Sequence, residues 1–145
     1  MKRCLTDESR NVIRTVSVVA AALVDNANRI LVAKRPEGRS FAGLWEFPGG
    51  KIETGESPEA ALIRELAEEL DINVALPALT PVTFVSFAYP EFHLLMLLYL
   101  CRDWHGIPQG REGQALRWET TTALATLPMP PADVPLVAVL RALLG

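Results

Sequence analysis

The chain has 145 residues, half of them apolar and 21% charged, with a formal net charge of −3. A chain of this length supports one domain that buries roughly 68–70% of the surface exposed when unfolded, and the composition excludes disordered and fibrous classes. The mild negative charge, with no run of lysines or arginines, excludes a track for polymeric nucleic acid and leaves small nucleotides as the nucleotide class open to it.

The first residues, "MKRCLTDESRN", begin basic but turn polar at once. They lack the apolar stretch of a secretion signal, so a cytoplasmic protein is expected. The longest nearly apolar runs, Val16–Val24 and Leu94–Cys101, are far short of the roughly 20 residues of a bilayer-spanning helix. Cys4 and Cys101 have no metal-like spacing and read as free thiols. "VSVVAAALV" (16–24), "DNAN" (25–28) and "RILVAKR" (29–35) read as two β segments around a polar turn, a hairpin. Residues 36–44 are polar and glycine-bearing, and the short "LWEFP" with Gly49 and Gly50 continues as a loop into an acidic segment. "VTFVSFAY" (82–89) and "FHLLMLLYLC" (92–101) have strand composition around Pro90 and Glu91, and "LRW" (116–118) is a further strand. In "PPADVPL", Asp133 is placed to cap a last helix, Pro135 fits its first turn, and Leu136, Val137, Leu140, Leu143 and Leu144 recur at helical spacing. With no repeat or linker, the expected fold is an α/β sandwich, one domain over residues 1–145, whose mixed sheet is covered by helices.

The acidic segment is the informative one. Ser57 is a good N-cap and Pro58 suits the first helical position, so the spacing predicts a helix from Pro58 to about Leu70. On a helical wheel Glu65, Glu68 and Glu69 fall at 0°, about −60° and about +40°. Leu62, Ile63, Leu66 and Leu70 form a separate apolar stripe that seats the helix. A solvated acidic face, partly offset by Arg64, is one reading. Yet Glu65 and Glu69 are like charges at i,i+4, which cost a helix about 0.2–0.5 kcal/mol. A cation would relieve them, and clustered carboxylates suit Mg²⁺ held jointly with waters and substrate phosphates.

The spacing is more specific than an acidic helix. Gly50, five residues, Glu56, seven residues, then Arg64-Glu65-Leu66-Ala67-Glu68-Glu69-Leu70-Asp71-Ile72 resembles the Nudix box, a glycine, a glutamate and Arg-Glu-apolar-x-Glu-Glu-x-Gly-apolar. Only the last glycine departs, replaced by Asp71, which tolerates the left-handed conformation of a helix end better than most residues. "AKRP", "LWEFPGGKIE", "WHGIPQGREGQALRW" and "PPADVPL" extend the likeness to the MutT subgroup of the Nudix hydrolases over most of the chain. The resemblance implies a Nudix α/β/α sandwich and dependence on Mg²⁺, with Mn²⁺ as a substitute. It also implies hydrolysis of nucleoside triphosphates to monophosphate and pyrophosphate, including oxidised guanine nucleotides such as 8-oxo-dGTP, which limits replication errors. It carries no polymeric nucleic acid and no membrane partner, and a monomer is expected.

Carried onto this sequence, the resemblance makes Glu65, Glu68 and Glu69 metal ligands, completed by the Gly49 carbonyl and Glu112 of "GREGQ" when substrate arrives. Glu56 and Arg64 orient the ligands, and the general base among the glutamates stays open. Arg35 and Phe47 border the nucleotide. Glu53 reads as solvated, and Trp45, Trp104, Trp118, His93 and His105 as structural. Asp133 stands where the subgroup most selective for 8-oxoguanine has asparagine. An ionised aspartate only accepts hydrogen bonds and suits the amino group of cytosine, whereas a protonated one mimics the amide. Both 8-oxo-dGTP and cytosine nucleotides such as CTP or 5-methyl-dCTP therefore stay open. A non-catalytic nucleotide sensor is disfavoured by the intact acidic box.

Overall fold

Residues 13–145 are described by a computed structural model; the Cys4 thiol and the reading of the N-terminal segment lie outside the described residues. The two longest apolar runs become strands β1 (Thr15–Leu23) and β6 (His93–Cys101). They pair in parallel from Thr15 opposite His93 to Leu23 opposite Cys101. These strands are central in a four-stranded sheet of order β4-β1-β6-β5, with β4 (Gly49–Lys51) and β5 (Leu79–Ala88) antiparallel at the edges. Strands covered on both faces must be apolar on both, and β1 is. Its Ala20 and Ala22 share a core with Met96, Leu98, Leu136 and Leu140, while Val19, Ala21 and Leu23 share the opposite core with Leu62, Leu66 and Leu70. The expected sandwich, a mixed sheet between helices, is the observed one.

The expected hairpin is not. A second, antiparallel sheet runs β3-β2-β7, from β2 (Ile30–Lys34), β3 (Trp45–Glu46) and β7 (Ala115–Glu119). β1 and β2 form no ladder with each other; just past the end of β1 an isolated antiparallel bridge joins Val24 to Ile30. The turn was legible: Asp25 Oδ1 accepts the N–H groups of Ala27 and Arg29 at 3.0 and 2.8 Å, and Asn28 is left-handed at φ 61°. The pairing was not, because β1 already has β4 and β6 as neighbours and β2 has β3 and β7, so neither keeps a free edge for the other.

The expected loop at residues 45–51 is likewise two short strands. A Cβ on Gly49 would overlap the backbone of Val19 and Ala20, so only glycine lets β4 press this closely on β1. Gly49→Ala is expected to cost about 1–3 kcal/mol, the range for forcing a methyl group into a packed interior. A urea melt checks it; an unchanged midpoint would mean that β4 can back away freely.

Helix α1 spans Pro58–Leu70 as predicted, with Ser57 Oγ accepting the Ala60 N–H at 3.1 Å. It ends at Asp71, left-handed at φ 59° and ψ 37°. A four-residue helix α2 (Thr121–Leu124), capped by Thr120, was not anticipated. Helix α3 (Val134–Leu144) buries Leu136, Val137 and Leu140, but Leu143 is 54% exposed, against expectation. From Leu136, the residues Val137, Leu140 and Leu144 lie at about 100°, 40° and 80°, whereas Leu143 falls at about −20°, outside that arc. Trp45 is buried, Trp104 and Trp118 stack at 6.0 Å, and Cys101 is a buried free thiol. His105 lies in a backbone bridge to Asn73, and His93 sits 2.5 Å from Ser86 Oγ. Among the described residues no helix is long and apolar enough to cross a membrane.

Candidate active site

A cleft of about 450 Å³ opens over β1 and β4 and runs from Glu69 and Glu112 at one end to Phe47 and Asp133 at the other. Beside its acidic end, Arg64 ties the box together. Its Nε donates to Glu56 Oε2 at 2.6 Å and its Nη2 to Glu56 Oε1 at 2.9 Å, a two-pronged grip. The same guanidinium donates to the Lys51 carbonyl at 3.2 Å, Glu65 Oε2 at 3.1 Å and Glu68 Oε1 at 3.4 Å. Its hydrogen bonds, with the Glu53 N–H donating to Glu56 at 2.9 Å, hold the Glu56 carboxyl at about 2. Those partners in turn raise the Arg64 pKa. The Glu53 side chain is exposed, as expected of a solvated residue.

Gly50 has a steric task. A Cβ there would overlap the Glu65 carboxylate, so the bare backbone of β4 is what lets Glu65 lie against the strand. Glu69 follows Glu65 one turn on, its pKa held well above the usual carboxylate range by burial first, then by Glu65, Glu112 and Glu46. The three helix glutamates are thus not equivalent. Glu69 lines the cleft, while Glu65 and Glu68 do not and are both held by Arg64, Glu65 half-buried against the strand and Glu68 57% exposed. Among the described residues no three acidic, histidine or cysteine side chains come together as a group that could hold a metal ion on its own. An all-oxygen, half-open acidic site with surplus negative charge fits a hard cation that keeps waters and takes phosphate oxygens. Gly49 lines the cleft on the facing strand.

Glu112 reaches the cleft on a tight turn in which Gly113 N–H donates to Gly110 O at 3.2 Å. The turn is fastened to the end of α1: Gln109 N–H to Leu70 O at 2.9 Å, Arg111 N–H to Glu69 O at 3.1 Å, and Gln114 Nε2 to Glu69 O at 3.1 Å. Gln114 Oε1 also accepts the Glu112 N–H at 2.8 Å, and Arg111 pairs with Asp71 at 3.3 Å. Sequence reasoning missed Gln114 and Arg111; the opposite charges of Arg111 and the unusual Asp71 were the one available hint.

At the far end Phe47 is both core and cleft wall, and its N–H donates to Asp133 Oδ2 at 3.3 Å. Asp133 stands at the start of α3 but caps nothing. Its backbone is already helical, at φ −80° and ψ −26°, and its side chain makes no bond to the helix. The carboxyl turns into the cleft instead, 6% exposed, where burial and the charge of Glu46 push it up to about 7 against the pull of the Phe47 N–H and Arg35. Arg35 donates to Glu46 Oε2 at 3.2 Å and to the Ser40 carbonyl at 2.8 Å. Burial raises the Glu46 pKa despite that partner. Glu46 was missed because nothing local marks "WE" as a strand that aims its glutamate into a cleft. Tyr89, stacked on Phe92 at 5.1 Å and packed on Phe87 at 4.8 Å, completes an apolar wall with Leu94 and Met96.

The NUDIX domain model matches residues 19–139. The chain is similar to the 8-oxo-dGTP diphosphatase of Escherichia coli K12, with 36% identity over 131 residues, covering 86% of this chain and 96% of the relative. It is also similar to the CTP pyrophosphohydrolase of that organism, with 38% identity over 125 residues, covering 86% and 90%. The solution structure of the E. coli ORF135 protein matches with a TM-score of 0.79 at 36% identity, covering 90% of this chain and 91% of that one.

Proposed function

This chain belongs to the Nudix family, and on that premise we propose that it is a Mg²⁺-dependent nucleoside triphosphate pyrophosphohydrolase, with 8-oxo-dGTP as its leading substrate and Mn²⁺ as an alternative metal. It acts as a cytoplasmic monomer on free nucleotides, not on polymers. The observation that carries the reading is one cleft lined both by Glu69 and Glu112 and by the buried Asp133, whose carboxyl is pushed up to about 7 by burial. Glu69, Glu112 and the Gly49 carbonyl, which line the cleft, with Glu65 and Glu68 beside them on α1, are the groups that would hold the cation. That cation would neutralise triphosphate charge and lower the pKa of a water. Arg64 and Glu56 fix the direction of Glu65. Glu112 is exposed and lines the cleft, which supports, among the glutamates open as the base, a proton-accepting role toward water. Arg35 reaches the nucleotide and Phe47 borders the base.

Asp133 sets the nucleobase. 8-Oxoguanine offers the O6 acceptor and the N7–H donor, so its partner must donate one hydrogen bond and accept another. A protonated carboxyl does both; an ionised one only accepts. Below about 7 the folded-state carboxyl keeps its proton. kcat/KM for 8-oxo-dGTP is therefore expected to fall as pH rises through about 7, following the free enzyme, and Asp133→Asn should flatten that fall. The cytosine reading is favoured by the same aspartate in its ionised form, which suits an exocyclic amino group, and by the likeness to a CTP pyrophosphohydrolase. A panel of 8-oxo-dGTP, dGTP, CTP and 5-methyl-dCTP, compared by kcat/KM across pH 6 to 9, decides between them. A pH-independent preference for a cytosine nucleotide would sink the oxidised-guanine assignment.

A further inference from the structure

The carbonyls of the last turn of a helix have no partner within it, and in α1 two of them, on Glu69 and Leu70, are taken up by the turn that carries Glu112. This end of α1 is also the negative pole of its dipole, and Glu69 adds its own carboxyl. Glu112 is thus held where both the helix end and its neighbour repel a carboxylate, so something must keep it from swinging into solvent. The two backbone contacts, from Gln109 and Arg111, fasten the turn on its N-terminal side only. On the other side a single side chain does so, and it uses both ends of its amide.

We propose, on the basis of the function proposed above, that Gln114 is a positioning residue that clasps the Glu112 turn to helix α1 and so fixes the Glu112 carboxylate opposite Glu69. Its Nε2 donates to the Glu69 carbonyl at 3.1 Å while its Oε1 accepts the Glu112 N–H at 2.8 Å. One planar group therefore links the backbones of two residues assigned to the cation. Gly110 permits the arrangement, because a Cβ there would overlap the Gln114 carbonyl. Neither a lysine nor a glutamate could replace Gln114, since the first has no acceptor and the second, ionised, has no donor. A shorter asparagine cannot span both contacts.

Gln114→Met keeps length and removes both bonds. It is expected to lower kcat by about 10-fold or more with KM within about threefold, the signature of a misplaced reacting group. Amide hydrogen exchange at Glu112 should quicken while exchange in α1 and the melting temperature stay near wild type. In a Glu112→Gln background the added loss should shrink below about threefold, because both changes act through one carboxylate. Additive losses, or unchanged exchange at Glu112, would overturn the clasp. Should Gln114→Met fold poorly, Gln114→Asn reads the same quantities. If the wild-type protein hydrolyses no nucleoside triphosphate with Mg²⁺, the proposed function falls, and exchange at the Glu112 amide still decides for or against the clasp.

Discussion

Glu69→Gln is expected to lower kcat by at least about 10²-fold, the scale of losing one charge-stabilising contact in a transition state, while leaving the melting temperature unchanged or higher. The two halves of that expectation have one origin. Arg64 serves Glu56, Glu65 and Glu68, yet it makes no bond to Glu69, whose ionisable neighbours Glu65, Glu112 and Glu46 are all acids. A largely buried carboxyl in such company is a burden on the fold without a cation and useful only with one. Glutamine keeps the shape, removes the repulsion and removes the ligand charge. Steady-state kinetics in Mg²⁺ beside a thermal melt test both halves. Undiminished kcat, or full wild-type activity in EDTA, would mean that Glu69 holds no cation.

What the sequence made legible was local. Ser57, Pro58, the Leu62–Leu66–Leu70 stripe and the left-handed Asp71 are all set by contacts within a few residues, and each lies where spacing put it. The composition of β5, β6 and β7 was likewise enough to announce strands. Partners were not legible. Nothing in "VSVVAAALV" says that β1 lies beside a strand some eighty positions later rather than beside β2, since strand composition records burial and not the neighbour.

The candidate site divides the same way. Wheel arithmetic placed Glu65, Glu68 and Glu69 on one arc, but an arc of about 100° is wide enough to run from solvent to cleft, and of the three only Glu69 lines the cleft while Arg64 holds Glu65 and Glu68. Asp133 offered two uses, cap or cleft, and only its long-range contact with Phe47 chooses. Glu46 and Gln114 act through strand register and a turn returning to a helix end, neither of which leaves a mark in the neighbouring sequence.

Arg64→Lys is expected to lower kcat by about 10–10²-fold, on the view that a displaced ligand costs what a misplacement of about 1 Å does. The substitution keeps the positive charge, so the loss isolates geometry. A guanidinium presents a planar fork of five donors, an ammonium a compact point charge, and here the fork reaches both oxygens of Glu56, the Lys51 carbonyl, Glu65 and Glu68 together. Lysine can satisfy one or two of these, leaving Glu65 free to turn away from Gly50. The change should also show in acid. The folded Glu56 carboxyl sits at about 2, below an unfolded value of about 4.3. Its contribution to stability is therefore complete above the unfolded value and lost as pH falls through the folded one. With lysine the folded value moves back up toward the unfolded one, so this part of the acid loss ends at a higher pH and is smaller than in the wild type. The two melting temperatures should converge as pH falls from about 5 toward 2, while above about pH 5 the difference between the two proteins should stop changing. Melts from pH 2 to 6, with kcat at neutral pH, measure both effects. If the lysine variant keeps the wild-type kcat and the wild-type acid limb, Arg64 is only a surface charge and Glu65 is oriented by Gly50 and the strand alone.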